Sequence, residues 1–267
     1  MKTARYYGIE DIRYEELPVP NCGEKDVLIK VAYAGICGSD LHIYKKGMFI
    51  QNIPETMGHE FSGTVIKTGS KVHSLQAGDR VTANPMVTCG NCIACRTERR
   101  GSCETLGFIG EVRPGCFAEY IALPQEDVIK APPDINLKKL ALAEPLAVAL
   151  NICRQAKPAP TDKVLIVGPG PIGLLTALVL KNVCGLENPT ILGRSPARLS
   201  IAKALGMKTT TQLGDDSYFD LIIEAAGNET ALSTAVAHAL PGGKICVVSI
   251  FEDDFIFDIN TIVAKQL

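Results

Sequence analysis

The chain lacks the features that mark several large classes of protein. Its 267 residues carry a formal net charge of only −2, which gives no reason to expect nucleic acid or an anionic membrane as a partner. No segment reaches the roughly eighteen uninterrupted apolar residues that a membrane span requires. The sequence also has no internal repeat and no low-complexity segment. With 46% hydrophobic and 21% charged residues, the composition fits one or two domains with apolar cores.

The N-terminal segment also lacks the apolar stretch of a secretion signal. It reads MKTARYYGIEDIRYEEL and is charged throughout. We therefore expect a cytoplasmic location, where a reducing environment keeps cysteines as thiols or metal ligands. The expectation matters because the chain has ten cysteines. Five of them are scattered without ligand spacing and are expected to be inert thiols: Cys22, Cys116, Cys153, Cys184 and Cys246.

Four further cysteines lie within fifteen residues, in the run CGNCIACRTERRGSC. Thiolates at this spacing can close a tetrahedral shell around zinc, whose softness and geometry suit them. Four protein ligands leave no open coordination position, so we predict a structural zinc site. The alternative interpretation is a pair of disulfides. The predicted ligands are Cys89, Cys92, Cys95 and Cys103.

A second group of metal-ligand residues is dispersed along the chain. Cys37 and His59 are flanked by glycines, and Glu144 lies in the apolar run LALAEPLAVAL, which we expect to be helical and buried. One sulfur, one imidazole and one carboxylate leave a fourth position open, the pattern of a catalytic zinc. Taken singly, each has an ordinary alternative: a buried apolar Cys37, a turn residue His59, and a helix-capping Glu144.

A glycine motif follows an apolar, β-branched strand. The segment KVLIVGPGPIGLL places G-x-G-x-x-G between a strand and a helix, the context that dinucleotide binding requires. A helix N-terminus there would face the pyrophosphate. A structural glycine turn is the alternative. The predicted cofactor-binding turn comprises Gly168, Gly170, Pro171, Ile172 and Gly173.

The pattern of strands changes along the chain. Up to about Pro133, short β-like runs alternate with Gly and Pro turns, as in a small barrel. After Thr161, strands alternate with helices, which predicts a parallel, doubly wound sheet; the predicted strands are KVLIVG, PTILG, FDLIIEAAG and GGKICVVSI. We therefore divide the chain into residues 1–136, a linking helical segment at 137–160, and an incomplete nucleotide-binding domain at 161–267.

These motifs together resemble the zinc-dependent medium-chain alcohol and polyol dehydrogenases, which include sorbitol, galactitol-phosphate and threonine dehydrogenases. The matching stretches occur in the family's order: GICGSDLHIY, MGHEFSGTV, AGDRV, the cysteine run, GCFAEYI, AEPLAVAL, VGPGPIGLL, EAAGN and LPGGKICVV. The resemblance implies a GroES-like β-barrel catalytic domain followed by a Rossmann domain. It also implies that Cys37 and His59 bind the catalytic zinc. The third ligand would be Glu60 or Glu144, and a glutamate at 144 favours the polyol-like branch.

The implied reaction is hydride transfer between a polyol, sugar alcohol or other secondary alcohol and NADP(H) or NAD(H), with zinc acting as a Lewis acid. Ser39 resembles the family's relay hydroxyl and His42 its terminal base, although His42 could be a solvated loop residue. Asp40 is a candidate acceptor for the ring N–H of His59. The alternatives are a simple alcohol dehydrogenase and a non-enzymatic nucleotide-binding member of the family.

The expected cofactor is NADP(H) rather than NAD(H). NAD-binding relatives place an acid at the end of the second Rossmann strand, and this chain has Gly193 there. The residues that follow supply guanidinium and hydroxyl donors that suit a 2′-phosphate: Arg194, Ser195 and Arg198.

The resemblance further implies a homodimer or homotetramer acting on a small-molecule alcohol. Tyr44, Phe49 and Phe108 are the candidate pocket residues, and they do not identify the substrate. The segment between Gly206 and Asp220 is shorter than in the family, so one crossover is expected to be abbreviated. Because relatives continue past the position of Leu267, we expect this sequence to represent part of a longer enzyme, with an open sheet edge at its end.

Overall fold

The computed structural model describes residues 1–267, which form two compact units, Met1–Glu144 and Pro145–Leu267. The division falls inside the segment that the sequence assigned to a linking region. The expected fold class is observed: the first unit is built from antiparallel β-sheets and the second from a parallel sheet flanked by helices.

The first unit contains ten strands in three sheets. A five-stranded antiparallel sheet has the order β10-β6-β5-β3-β9, a smaller sheet has the order β2-β1-β4, and β7 pairs with β8. The strands are β1 (Lys2–Gly8), β2 (Asp11–Glu16), β3 (Asp26–Gly35), β4 (Glu55–Thr56), β5 (Glu60–Thr68), β6 (Arg80–Ala83), β7 (Met86–Val87), β8 (Gly107–Phe108), β9 (Tyr120–Pro124) and β10 (Val128–Lys130).

Apolar side chains from these strands fill the core of the first unit. Because successive residues of a strand face opposite sides, Val27 and Ile29 on β3 point to one face and meet Phe61 and Val65 from β5. Further core residues come from β6, β9 and β10: Val81, Ala83, Ile121, Leu123 and Val128. The packed sheet therefore holds the N-terminal end of β5, where His59 and Glu60 lie, in a fixed position.

The helices up to the unit boundary are short. They are α1 (Gly38–Lys46), α2 (Ile93–Arg96) and α3 (Leu137–Leu140), followed by α4 (Ala143–Ala156). Two turns of 3₁₀-helix occur at Arg100–Ser102 and Gln125–Asp127.

The helix expected at Leu137–Ala156 is interrupted between α3 and α4, at residues 141–142. The expectation that its apolar run is buried was only half right. Ala149 and Cys153 are buried in α4, whereas Leu146 and Leu150 are 38% and 43% exposed. An amphipathic helix buries one stripe and leaves the other, so apolar composition alone overstated the burial.

The second unit is a five-stranded parallel sheet of order β13-β12-β11-β14-β15. Its strands are β11 (Val164–Val167), β12 (Thr190–Leu192), β13 (Lys208–Thr210), β14 (Phe219–Glu224) and β15 (Ala239–Val247). Its remaining helices are α5 (Pro171–Asn182), α6 (Pro196–Ala204), α7 (Glu229–His238) and α8 (Ile259–Lys265). The connection from β13 to β14 contains no helix, as the short sequence there predicted. No helix in the chain combines the length and the apolar character needed to cross a membrane.

The last residues pack onto the second unit beside the edge strand β15. The Lys265 ammonium donates to the carbonyls of Val236 and Ala237 at 2.8 Å and of Ala239 at 3.2 Å, at the C-terminal end of α7. Leu267 packs against the apolar cluster on this side of the sheet. A cation at a helix C-terminus satisfies carbonyls that the helix itself leaves without partners.

Candidate metal centres and cofactor-binding turn

The four clustered cysteines converge on one point. Their sulfur atoms all lie within 4.8 Å of one another, with Cys89–Cys103 at 3.6 Å, Cys92–Cys103 at 3.9 Å and Cys89–Cys95 at 4.0 Å. Four sulfurs at the usual Zn–S bond length of about 2.3 Å in a tetrahedron would be about 3.8 Å apart. The cysteines are free thiols at separations far longer than a disulfide bond. The donor set therefore fits tetrahedral zinc, not a pair of disulfides.

Backbone amides surround these sulfurs. Amides of the same loop donate to sulfur at 3.4 Å in three places: Cys92 N to Cys89, Cys95 N to Cys92, and Cys89 N to Cys103. Backbone N–H donors lower the pKa of Cys92 and bring the pKa of Cys103 to about 6. Burial instead raises the pKa of Cys95 to about 11. The loop thus favours the thiolate form at two of the cysteines, Cys92 and Cys103, and the thiolate is the form that binds zinc.

A second group brings together Cys37, His59 and Glu60. Their ligand atoms lie within 4.8 Å of one another. Cys37 is the residue preceding α1, and His59 and Glu60 lie where β5 begins. His59 and Glu60 are 6% and 8% exposed. Three donors of these types, with no fourth protein ligand in the group, fit a zinc ion that keeps one position open.

Glu144 lies outside this group but near it. Its charge and those of His59 and Glu60 affect one another: burial raises the pKa of Glu144, the charge of His59 lowers it, and that of Glu60 raises it. Ser62 on β5 donates a 2.6 Å hydrogen bond to the carbonyl of Leu137 and so holds α3 against the strand that carries Glu60. The sequence left the third ligand open between the two glutamates, and the structure places Glu60 with Cys37 and His59.

The Asp40 carboxylate lies next to the His59 ring. Its Oδ1 is 4.0 Å from His59 Nδ1, longer than a hydrogen bond, and is buried without a hydrogen-bond partner. Its Oδ2 accepts a 2.8 Å hydrogen bond from the backbone N–H of Cys37. The predicted Asp40–His59 hydrogen bond is therefore not formed; the carboxylate acts on His59 through its charge and holds the Cys37 backbone.

The electrostatics of this centre are dominated by negative groups. Burial opposes protonation of His59, but a hydrogen bond to Cys37 and the charge of Asp40 outweigh it and raise the pKa of His59 to about 9. Burial raises the pKa of Asp40 and Glu60 as well. Buried acids around one imidazole are costly to ionise, and a divalent cation bound there would stabilise their charged forms.

Sequence reasoning missed Glu111. It is 7% exposed, burial raises its pKa, and the charges of His59 and Asp40 both act on it. Its loop is packed directly on the metal-ligand segment: Gly110 has φ +84°, and a Cβ there would lie 2.6 Å from the backbone nitrogen of Gly58. An isolated glutamate within the run IGEVRPG shows no ligand spacing, so only the glycines beside it indicated a close approach.

The candidate relay residues lie on α1, three positions apart and hence on one face of the helix. They are Ser39 and His42, both half-buried. Of the aromatic pocket candidates, Phe108 lies beside His59, with its ring centroid 6.1 Å from that of His59. Tyr44 lies in α1, and Phe49 follows that helix and is 44% exposed.

The glycine motif forms the predicted turn between β11 and α5. Gly168 has φ +116°, and a Cβ there would lie 2.6 Å from the carbonyl oxygen of Ala225. Gly173 approaches Gly168 so closely that a Cβ would lie 2.1 Å from its carbonyl oxygen. Gly170, the residue preceding α5, faces open space, and Pro171 and Ile172 begin the helix. The space at Gly170 and the unpaired N–H groups of the first helical turn fit a pyrophosphate.

The residues predicted to choose the cofactor follow β12. Gly193 is buried and its N–H donates to the Thr210 carbonyl at 3.1 Å. Arg194 and Arg198 are exposed, and the Ser195 hydroxyl caps α6 by accepting from the Arg198 N–H at 3.4 Å. The end of β12 therefore carries two guanidinium groups and a hydroxyl, and no carboxylate.

Comparisons with known proteins agree with this architecture. Residues 23–133 match the family model described as the alcohol dehydrogenase GroES-like domain. The chain is 35% identical to L-threonine 3-dehydrogenase of Marinomonas sp. (strain MWYL1), over 100% of this chain and 82% of that protein. It is 34% identical to sorbitol dehydrogenase of Bacillus subtilis (strain 168), over 94% and 75%. A solved structure of a zinc-binding dehydrogenase from Sinorhizobium meliloti 1021 bound to NADP superposes with a TM-score of 0.92 at 28% identity, covering 99% of this chain and 82% of that one.

Proposed function

Since the chain belongs to the zinc-dependent medium-chain alcohol and polyol dehydrogenase family, we propose that it oxidises a secondary alcohol or polyol with NADP as the hydride acceptor. The observation that carries this proposal is the group formed by Cys37, His59 and Glu60, three ligands of the types that leave a zinc position open to substrate. The relatives named for threonine and sorbitol support an alcohol or polyol as the substrate class.

The residues of the centre have separate roles in this proposal. Cys37, His59 and Glu60 hold the catalytic zinc, and Glu144 lies close enough to influence them electrostatically. Zinc bound there supplies a Lewis acid for the alcohol oxygen. Asp40 holds the Cys37 backbone through its 2.8 Å hydrogen bond and places a negative charge 4.0 Å from His59. Ser39 and His42 carry the alcohol proton away, since they lie on one face of α1.

The four-cysteine loop has a structural role. We propose that zinc bound by Cys89, Cys92, Cys95 and Cys103 stabilises this loop, because all four ligand positions are filled by protein and none is left for substrate. Two zinc ions per chain are therefore expected. We further propose that the enzyme assembles as a homodimer or homotetramer, as the family resemblance implies.

The preference for NADP rests on the end of β12. A carboxylate at position 193 would accept hydrogen bonds from the ribose hydroxyls and repel a 2′-phosphate. Gly193 removes that group, while Arg194 and Arg198 offer guanidinium donors for the phosphate. The turn from Gly168 to Gly173 and the start of α5 would hold the pyrophosphate.

Metal analysis combined with turnover tests the proposal. Purified protein should contain two zinc ions per chain and reduce NADP in the presence of a polyol, a sugar alcohol or a hydroxy amino acid. The His59→Gln variant should keep one zinc and lose turnover. One zinc per chain with no turnover on any of these substrates would contradict the proposed enzyme and favour a nucleotide-binding protein without activity. A preference for NAD would contradict the cofactor assignment alone.

A further inference from the structure

The absence of a side chain at position 193 has a steric cause in this chain. A Cβ built on Gly193 would lie 2.5 Å from Cγ and 2.6 Å from Cδ of Pro169, and 3.3 Å from Cδ2 of Leu199. Contacts shorter than about 3 Å between carbon atoms fall far inside the optimal separation of 3.5–4.0 Å. Position 193 therefore has no room for any side chain while Pro169 stays where it is.

The obstructing atoms belong to a rigid group. Pro169 is buried within the cofactor-binding turn, between Gly168 and Gly170, and its pyrrolidine ring is closed onto the backbone nitrogen, so a change of ring pucker moves it only slightly. The Leu199 methyl is the end of a flexible side chain and can move by the few tenths of an ångström required. Pro169 is thus the dominant obstacle.

Backbone conformation does not explain the glycine. The φ angle of Gly193 lies outside the left-handed region, unlike that of Gly168, so an L-amino acid suits the local backbone. Space is the requirement at 193. The two closest atoms, Cγ and Cδ of the proline ring, are also the two atoms that replacement of Pro169 by alanine removes.

We propose that Pro169 is a specificity-determining residue for the cofactor: by occupying the space of a side chain at 193, it keeps a carboxylate away from the adenosine ribose. The inference rests on the proposed use of NADP and deepens it. Selectivity then depends on a pair of positions, 169 and 193, instead of on 193 alone. An aspartate can function at 193 only after the proline ring has been removed.

The steric half of the inference is tested without cofactor, by a double-mutant cycle in melting temperature. In the natural background, Gly193→Ala should lower the melting temperature by roughly 3–10 °C, as overpacking of a core does. In the Pro169→Ala background, the same substitution should lower it by less than about 2 °C. Gly214→Ala is the matched control, because its Cβ would meet only Ser217 Oγ at 3.7 Å and its φ is not left-handed.

Equal losses in both backgrounds would overturn the proposal, and so would a Gly193→Ala variant as stable as the Gly214→Ala control. Both outcomes concern the packing of Pro169 against position 193 and are independent of enzymatic activity.

The selectivity half is tested by the dissociation constants of NADPH and NADH, measured by fluorescence titration. The double variant Pro169→Ala/Gly193→Asp is compared with the single variant Gly193→Asp. The double variant should bind NADPH at least about tenfold more weakly, and NADH at least about tenfold more tightly, than the single variant does. If Gly193→Asp by itself produced the full change, Pro169 would have no part in selectivity. If the unaltered chain bound neither dinucleotide, the proposed function would be wrong, and so would the role of Pro169 in cofactor selectivity. The melting-temperature cycle would still decide whether Pro169 excludes a side chain at position 193.

Discussion

Asp40 should govern how strongly protons compete with zinc for His59. The side chain of His59 is 7% exposed and that of Asp40 is 3% exposed, and His59 Nδ1 lies 4.0 Å from Asp40 Oδ1. At an effective dielectric constant of about 20, unit charges at that distance interact by at most about 4 kcal/mol. The Asp40→Asn substitution removes this attraction and should lower the pKa of His59 from about 9, while the hydrogen bond to Cys37, which raises that pKa more than Asp40 does, remains. Asparagine keeps an oxygen that can accept from the Cys37 N–H.

The consequence is a difference in pH dependence. Zinc binds the neutral imidazole, so a pKa of about 9 weakens binding about 100-fold at pH 7 relative to a pH well above 9. In Asp40→Asn this competition should be weaker at pH 7, because less of the imidazole is protonated.

Competition with a chromophoric chelator measures this effect, on protein whose cysteine loop already holds one zinc. Between pH 7 and 9, the affinity for the second zinc should rise about 50-fold in the unaltered protein, because the neutral fraction of an imidazole with a pKa of about 9 rises from about 1% to about 50%, and it should rise by less in Asp40→Asn. Parallel pH profiles for the two proteins would refute the reasoning. In the zinc-free protein the raised pKa stabilises the fold below about pH 6.5, and this contribution of about 3 kcal/mol is lost as the pH rises through 9.

Three further predictions follow from particular contacts. Cys95→Ser should lose one zinc per chain and several kcal/mol of unfolding free energy, measured by metal analysis and chemical unfolding. The control Cys22→Ser should retain both zincs. Equal zinc content in the two variants would contradict a tetrahedral cysteine site. Glu60→Gln should lower zinc affinity at the catalytic centre more than Glu144→Gln, in the same chelator assay, and the reverse order would make Glu144 the third ligand. Lys265→Ala should cost about 1–2 kcal/mol of unfolding free energy in urea, because the ammonium bonds three carbonyls at the end of α7; an unchanged midpoint would show that those bonds are broken in solution.

Local sequence signals were sufficient for the order and type of most elements. The run KVLIVG became β11, PTILG became β12, and FDLIIEAAG contains β14, because buried parallel strands are continuous apolar stretches bounded by turn residues. The group of four clustered cysteines could also be predicted from the sequence, because short spacing within one loop already limits how far apart their sulfurs can be.

Local sequence signals could not predict contacts between distant segments of the chain. Whether Glu60 or Glu144 joins Cys37 and His59 depends on where the start of β5 and the start of α4 are placed, and both glutamates lay in suitable sequence contexts. The burial of Glu111 beside His59 depends on the approach of Gly110 to Gly58, across more than fifty residues of chain.

The sequence by itself determined which chemistry is available: four thiolates in one loop, a glycine turn after a strand, and no carboxylate at position 193. Those properties are encoded by residue type and short spacing, which the chain carries whether or not it is folded. Only the tertiary structure decided which carboxylate lies beside His59 and why position 193 must be glycine, because both answers depend on atoms brought together from distant parts of the chain. The closeness of the Pro169 ring to Gly193 is one such distance, and folding alone sets it.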